Sequence, residues 1–369
     1  MRFIDFFAGI GGARRGMELA GNICAGFCEV DNFAAAAYTS MHLITDEQRK
    51  YLATLPKHKR RKEILKSEYR NGEWYSDDVR RLRGRDLPVV ECWCFGAPCQ
   101  DFSIAGLRAG LGGDKSSLVR EIFRLIGEVG EENKPEWLIY ENVKGMLSSN
   151  RGLDFAFILA ELDERGYDAE WRIFNSKDYG VPQNRERVYV VGHLRRKGTA
   201  KVFPITETIG ENNIQIIQLG RLNTHRENKN QYRVYSSCGI APTLNSMEGG
   251  GREPHIILQL QSGVIGDIAA NTNLYSIPVD KDKTEGIIVK IEGEDVYAIW
   301  HELSNSYIAV RKLTPKECFR LQGWNDEYYE KAAFINSDSQ LYKEAGNGIT
   351  VNVIHSIAEM IKEVICENS

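Results

Sequence analysis

The sequence predicts an α/β fold, a mainly parallel sheet wrapped by helices, joined to a smaller and mostly β region. Three observations carry this expectation. Residues 1–194 alternate short apolar runs, bounded by Gly, Asp or Asn, with longer stretches of helical period. From 195 to about 310 the texture changes to short β-rich runs separated by Asn, Gly and charged clusters, and helical signals return at 314. At 369 residues the chain has room for about two domains.

Taken in order, strands are expected at 2–6, 23–28, 88–95, 136–141, 168–174 and 187–193, and helices at 12–20, 32–41, 117–129 and 153–165. The first strand, RFIDF, breaks on the Gly-rich turn Phe7-Ala8-Gly9-Ile10-Gly11-Gly12, after which apolar residues recur at helical spacing. In the β-rich region the runs are IIQLG, RVYSS, HIILQLQ, GIIVKI and DVYAIW. Thr314-Pro315-Lys316-Glu317 combines an N-cap, a proline at the first helical position and a capping-box glutamate, so a helix opens there. A last helix, at about 349–365, opens after Gly346-Asn347-Gly348. No internal repeat or low-complexity tract interrupts this order.

Composition excludes several classes. Hydrophobic content of 42% and charged content of 27% are ordinary for a globular protein, and no apolar run approaches the length that crosses a bilayer. The start, MRFIDFFAGIGG, lacks the basic segment and small-residue cleavage site of a secretory signal, so a cytoplasmic protein is expected. Eight cysteines include no C-x-x-C pair, which argues against a zinc site of the usual spacing; no metal is expected. The net charge of −4 hides an asymmetry. Residues 49–85 hold thirteen Lys/Arg against five Asp/Glu, with KHKRRK at 57–62, whereas 325–369 hold eight acids against three bases. A positive strip attracts phosphates whatever the overall sign, although a run of this kind also suits a solvated helix surface.

The chemistry centres on Pro98-Cys99-Gln100, within GAPCQDFS at 96–103. A cysteine at the end of an apolar strand and inside a Gly/Pro turn is placed to react, though on composition alone a buried, inert cysteine is commoner. The Gly-rich turn at 7–12 lets a ligand approach the backbone, and Glu29, 22 residues after Phe7 at the end of the second strand, can accept from a ribose diol. A nucleoside cofactor suits such a turn, the alternative being a turn that serves only strand-to-helix packing. A dinucleotide is disfavoured, because the position three after Gly11 is Arg14 rather than glycine, and no P-loop occurs. Partners for Cys99 are Glu141, in IYENVKG, and Arg185 and Arg187, in QNRERV. The carboxyl ends of parallel strands share one edge, so Cys99, Glu141 and the first turn converge there. The arginines lead into a strand and reach that edge only if 187–193 runs antiparallel to its neighbours.

In this order FIDFFAGIGG, GAPCQDFS, ENV, QNRERV, RKLTPKECFRLQGW and AGNGITVNVIHSIAEMI resemble the motifs of the DNA (cytosine-5)-methyltransferases of the small bacterial and phage type, over about two-thirds of the chain. The resemblance implies a Rossmann-like, S-adenosylmethionine-dependent methyltransferase domain at 1–194 and 324–369, and a target-recognition domain at 195–323. It implies that Cys99 adds to C6 of a flipped-out cytosine, Glu141 acts at N3, Arg187 at O2, and Arg185 helps hold the thiolate. Phe7, Gly9, Gly11, Glu29, Asp78, Pro98 and Asn347 would form the cofactor pocket, with Asp78 on the adenine amino group and Asn347 at the start of the final helix. Duplex DNA is the implied partner, contacted through a closing loop at 100–117 that carries Gln100, Ser103 and Arg108. In the recognition region Asn230, Gln231 and Arg233 are the implied base contacts, beside the fixed Thr243-Leu244 dipeptide. A monomer is expected, and a restriction endonuclease is a possible companion. Two rivals stay open: an RNA (cytosine-5)-methyltransferase of the same fold, whose Cys-Phe-Thr signature is absent, and a non-catalytic DNA-binding protein.

Overall fold

The structure, a computed structural model, describes residues 1–97, 118–198, 200–203, 218–221, 233–236, 239–244, 254–261, 275–277, 286–291, 294–301 and 306–367. Pro98, Cys99, Gln100, Ser103, Arg108, Asn230 and Gln231, and the loop at 100–117, lie outside the described residues.

One sheet is built from β1 (Arg2–Phe6), β2 (Ile23–Cys28), β3 (Trp74–Ser76), β4 (Cys92–Phe95), β5 (Trp137–Val143), β6 (Tyr167–Asn175) and β7 (Glu186–Leu194), in the order β3-β2-β1-β4-β5-β7-β6. β1 pairs in parallel with β2 and β4, and β4 with β5; β7 is antiparallel to both β5 and β6. The central strands are covered on both faces, which is why they read as unbroken apolar runs. Alternation along each strand sends successive residues to opposite faces. Trp93 and Phe95 face one core with Phe6, Leu138 and Tyr140, under α5 (Leu118–Glu128) and α6 (Leu153–Glu164). Cys92 and Cys94 face the other with Phe3, Trp137 and Ile139, under α1 (Gly12–Leu19) and the last helix. Burying each such large apolar side chain contributes about 1.5–3 kcal/mol, so these two layers hold the sheet.

The expected strands and helices of this sheet are all present, with shifts at their ends. β4 begins at Cys92 rather than 88, because Pro88 has no N–H for a ladder and Val89 is exposed. Sequence period missed the short edge strand β3 and four helices: α2 (Asn32–His42), expected, is followed by α3 (Asp46–Ala53) and α4 (Lys57–Ile64), and further on come α8 (Asp326–Ala333) and α9 (Asp338–Asn347). α3 carries a capping box between Thr45 and Gln48, a signal present in the sequence. α4 is the KHKRRK run, pinned by Arg60 and Arg61 over the rings of Phe334 and Phe33 at 3.9 and 4.1 Å.

The helix expected from Thr314 is α7 (Pro315–Arg320), with its capping box formed: Thr314 Oγ1 accepts from Glu317 N at 3.2 Å, and Glu317 Oε2 accepts from Thr314 N at 2.7 Å. The final helix, α10 (Val351–Glu367), packs along α1, where Gly16 leaves room for Ile354. Asn347 is corrected in place. It is the last residue of α9, not the start of the final helix, because Leu341 and Ala345 continue the buried helical spacing up to the Gly346-Asn347 pair.

A second seven-stranded sheet comprises β8 (Gln218–Arg221), β9 (Arg233–Ser236), β10 (His255–Gln261), β11 (Tyr275–Ile277), β12 (Gly286–Ile291), β13 (Glu294–His301) and β14 (Ser306–Lys312), in the order β11-β12-β13-β14-β10-β9-β8. All its pairs are antiparallel except β9 with β10. The two sheets are joined at Gln183 and Ala241, which form a parallel bridge, and through Leu244, buried with Leu313, Phe319, Trp324 and Ile10. Val202 and Phe203 pack on the first sheet with Phe174 and Tyr189. Among the described residues no helix is long and apolar enough to cross a membrane.

Candidate active site

Because β7 runs antiparallel, its start lies at the same edge as the ends of β1, β2, β4 and β5. Register then does the rest: Glu141 pairs with Tyr189 and Val143 with Arg187, so Glu141 and Arg187 are diagonal neighbours on one face. Arg187 Nε lies 3.1 Å from Glu141 Oε1, with only 14% and 12% of the two side chains exposed. Burial pushes the Glu141 carboxyl above its ordinary range, and the charges of Arg187 and Arg185 only partly offset this. Directly past β4, a Cβ on Gly96 would stand 3.2 Å from Glu141 Oε2 and 3.0 Å from Ile349 Cδ1, so the backbone leading to Cys99 runs against the carboxylate. A side chain there would press on both.

The first turn is shaped for a ligand. Phe7 (φ 54), Gly9 (φ 55) and Gly11 (φ 86) are all left-handed, a conformation that costs a non-glycine residue such as Phe7 about 1–2 kcal/mol. Glu29 is held from both sides, its Oε2 accepting from Gly9 N at 2.8 Å and its Oε1 from Asp31 N at 2.7 Å. Asp31 caps α2 through Phe33 N at 2.8 Å and meets Lys343 at 3.1 Å. A Cβ on Gly9 would meet nothing within 4 Å, whereas one on Gly11 would strike His42 and Tyr38 at 2.6 and 2.9 Å. The turn is therefore open above Gly9 and walled behind Gly11. An open glycine beside a fixed carboxylate with lone pairs to spare fits the ribose end of a nucleoside such as S-adenosylmethionine.

Asp78 follows β3 and is joined to this rim through Ser76, whose carbonyl accepts from Glu29 N at 3.1 Å. Its carboxylate is held low by the hydrogen bond from the Arg80 side chain, which also forms an ion pair at 2.8 Å. Sequence reasoning missed Asp5, fully buried under the turn and accepting from Arg14 N at 3.2 Å. It also missed His42, which lies against Ile10, and a buried chain of hydrogen bonds from Ser176 through Thr350 and Gln322 to Gln183, at 3.0, 2.9 and 3.3 Å. Gln322 lies within RKLTPKECFRLQGW and Gln183 within QNRERV, but only the fold reveals that they touch.

Arg185 is placed differently from Arg187. It is 3% exposed, and its guanidinium donates to the carbonyls of Leu244 at 3.0 Å, Gly346 at 3.2 Å and Gly348 at 2.8 Å. It thus braces the Leu244 segment and both carbonyls flanking Asn347 against β7. Arg185→Ala is expected to lower the unfolding free energy by about 3–5 kcal/mol, since buried carbonyls lose charged donors. Arg185→Lys recovers less than half of that, an ammonium being unable to span three carbonyls. Chemical denaturation of the three proteins measures this; equal midpoints for wild type and Arg185→Ala would contradict it. Thr243 is exposed, yet its hydroxyl donates to Asn184 O at 2.6 Å, and Arg233 lies half-buried on β9. The first turn and the Glu141–Arg187 pair are thus brought to one edge, with Asp78 at the rim and Thr243 at the junction of the sheets. Among the described residues no cluster of three or more His, Cys, Asp or Glu could hold a metal.

Comparison with known proteins accords with this geometry. The profile of the C-5 cytosine-specific DNA methylases matches residues 1–363. The type II methyltransferase M.SsoII of Shigella sonnei is 28% identical, the match covering 98% of this chain and 79% of that protein. The orphan methyltransferase M.SPRI of Bacillus phage SPR is 24% identical over 99% of this chain and 97% of its own length. Among solved structures, the S. pombe Dnmt2 methyltransferase shares the fold with a TM-score of 0.60 at 17% identity, covering 98% of this chain and 99% of that one. A mixed sheet with a glycine turn at its first strand, a buried Glu–Arg pair at its edge, and a profile match over nearly the whole length leave one conclusion: the chain belongs to the C-5 cytosine-specific DNA methylases.

Proposed function

We propose that Cys99, Glu141 and Arg187 carry out the cytosine-5 methylation that defines this family, on a cytosine rotated out of duplex DNA. The Glu141–Arg187 pair beside Gly96 supports this most directly. Cys99 is three residues from Gly96, and a chain of that length reaches no farther than about 11 Å. C5 of cytosine is a poor nucleophile. Attack of the Cys99 thiolate on C6 forms an S–C bond and moves the ring electrons toward C5. Glu141, its carboxyl raised above the ordinary range by burial, donates to N3, and Arg187 meets the charge that grows at O2. S-adenosylmethionine, when bound, supplies the electrophilic methyl group that C5 then takes up. Loss of the C5 proton and breaking of the S–C6 bond release 5-methylcytosine and restore the thiolate. Each proton and charge has a side chain or solvent to take it, so this reading calls for no metal.

Phe7, Gly9, Gly11, Glu29, Asp78, Pro98 and Asn347 form the donor pocket in this reading, with Glu29 on the ribose. Arg185 serves the site by bracing it. The second sheet, within 195–323, is the target-recognition unit, because it is tied to the catalytic edge through Gln183 and Ala241. Asn230, Gln231, Arg233 and Thr243, with Gln100, Ser103 and Arg108, provide its DNA contacts. The protein acts as a cytoplasmic monomer. M.SsoII is a type II methyltransferase and M.SPRI an orphan, so a companion endonuclease is one arrangement and a solitary enzyme the other.

Bisulfite sequencing of DNA from a host expressing the chain tests the function. One cytosine within a short motif is expected to resist conversion throughout the genome. Unchanged conversion, or methylation of adenine, would overturn the proposal.

A further inference from the structure

We propose that His42 is a positioning residue for the methyl donor, holding the first turn in its receiving shape through a single hydrogen bond to Ile10. His42 ends α2, and its Nε2 lies 3.0 Å from the carbonyl oxygen of Ile10, between the two left-handed glycines of the turn. A carbonyl only accepts, so Nε2 carries the hydrogen and donates. The same nitrogen presses on Gly11 so closely that a Cβ there would stand 2.6 Å from it.

The imidazole is itself held on three sides. Its ring centroid lies 4.8 Å from that of Tyr38, 5.9 Å from Trp324 and 5.4 Å from Tyr328. Arg14 and Arg15 on α1, and Lys331 on α8, are the charged groups that face it, and Tyr38 and Tyr328 the other titratable ones. Burial first, and then the nearby cations, keep the ring neutral. Nδ1 finds no partner among the described residues, so the bond to Ile10 is the one hydrogen bond the ring makes among them.

The consequence lies one residue away. Gly9 N donates to Glu29 Oε2 at 2.8 Å, and Gly11 N, which shares one planar peptide group with the Ile10 carbonyl, donates to Ala8 O at 2.8 Å. The bond from His42 is thus the second tether on the Ile10–Gly11 peptide, holding its carbonyl end as Ala8 holds its N–H end. Without it that plane hangs on one bond beside Gly11, a residue that tolerates either sign of φ. The ligand must then pay the ordering entropy on binding. Trp324 and Tyr328, which complete the box, follow the helix that returns from the second sheet, so the turn is referenced to that part of the fold as well.

This inference rests on the reading that the turn receives S-adenosylmethionine, and the experiment separates the two. Calorimetry measures the Kd for S-adenosylmethionine of wild type, His42→Leu and His42→Gln; transfer of labelled methyl groups to unmethylated bacterial DNA measures KM for the donor and kcat. His42→Leu, which keeps bulk but not the donor, is expected to raise Kd and KM about tenfold, with kcat within about twofold. His42→Gln, whose amide can donate to Ile10, is expected to stay within about threefold of wild type. Equal affinity of His42→Leu and wild type overturns the proposal, as does a His42→Gln variant no better than His42→Leu. The wild-type imidazole gives a second reading should a variant not fold. Nitrogen chemical shifts must report the Nε2–H tautomer, and the Nδ1–H tautomer would sink the proposal. Failure of wild type itself to bind the donor would instead remove the reading of the turn.

Discussion

Replacing Cys99 by serine is expected to lower methyl transfer more than about 1,000-fold while leaving binding of DNA and of S-adenosylmethionine within a few-fold of wild type. The reason is the nucleophile's acidity. A thiol ionises near pH 8.5 and its thiolate is intrinsically reactive, whereas an alcohol needs a strong base beside it. Glu141 is not that base in this mechanism, because its role is to donate to N3, which a carboxyl raised by burial favours. The result is read most directly with duplex DNA carrying 5-fluorocytosine. Fluorine at C5 blocks the proton loss that would release the enzyme, so wild type should form a complex that survives denaturing electrophoresis and Cys99→Ser should not. An adduct of equal yield in the variant would contradict the assignment of the sulfur.

Glu141→Gln is expected to reduce kcat by about 100- to 1,000-fold, with little change in the Kd for either ligand. A glutamine amide still points an N–H at N3 but cannot release a proton to it. The pH dependence separates this from a packing defect. The Glu141 carboxyl is raised by burial, so in wild type the reactive, protonated form is depleted as pH rises through that raised value, and kcat should fall there. In Glu141→Gln that limb should vanish. Stability follows with the same sign. A carboxyl whose folded pKa lies above the ordinary 4.5 favours the fold fully below that value and loses its contribution as pH rises through the folded one. Relative to Glu141→Gln, wild type should therefore lose stability as pH is raised from about 4.5, as denaturant melts at several pH values would reveal. A profile identical in the two proteins would show that Glu141 titrates outside the reaction.

Several features were readable directly in the residues. The apolar strands announced themselves because both faces of the sheet are covered, as with Cys92–Phe95, every residue of which is buried. The capping box at Thr314 marked its helix because it is local chemistry, complete within four residues. α4 was harder to see, since seven consecutive polar or charged residues carry no apolar period; Arg60 and Arg61 seat that helix on Phe334 and Phe33, rings that are distant in sequence. The placement of Asn347 was misjudged for a related reason. Gly-Asn-Gly reads as a helix start, yet the spacing of Leu341 and Ala345 carries α9 up to it.

The two arginines of QNRERV mark the division most sharply. Their types and order named them as a functional pair, two residues apart at the entry to a strand. Nothing in the linear pattern tells them apart. The antiparallel register of β5 against β7 sets Arg187 on Glu141, while Arg185, just before β7 begins, meets the carbonyls of Leu244, Gly346 and Gly348. His42 and Asp5 belong to the same category, because their partners are backbone groups, which leave no signature in residue type.

The amino-acid order alone therefore determined the kind of chemistry and the residues able to perform it, since strand ends, glycine turns and capping boxes are written in local pattern. Which of those residues touch, which carboxyl burial raises, and which arginine serves as a brace were decided by strand direction and close packing. Those are relations between segments far apart in the chain, and distance and burial exist only once the chain has folded.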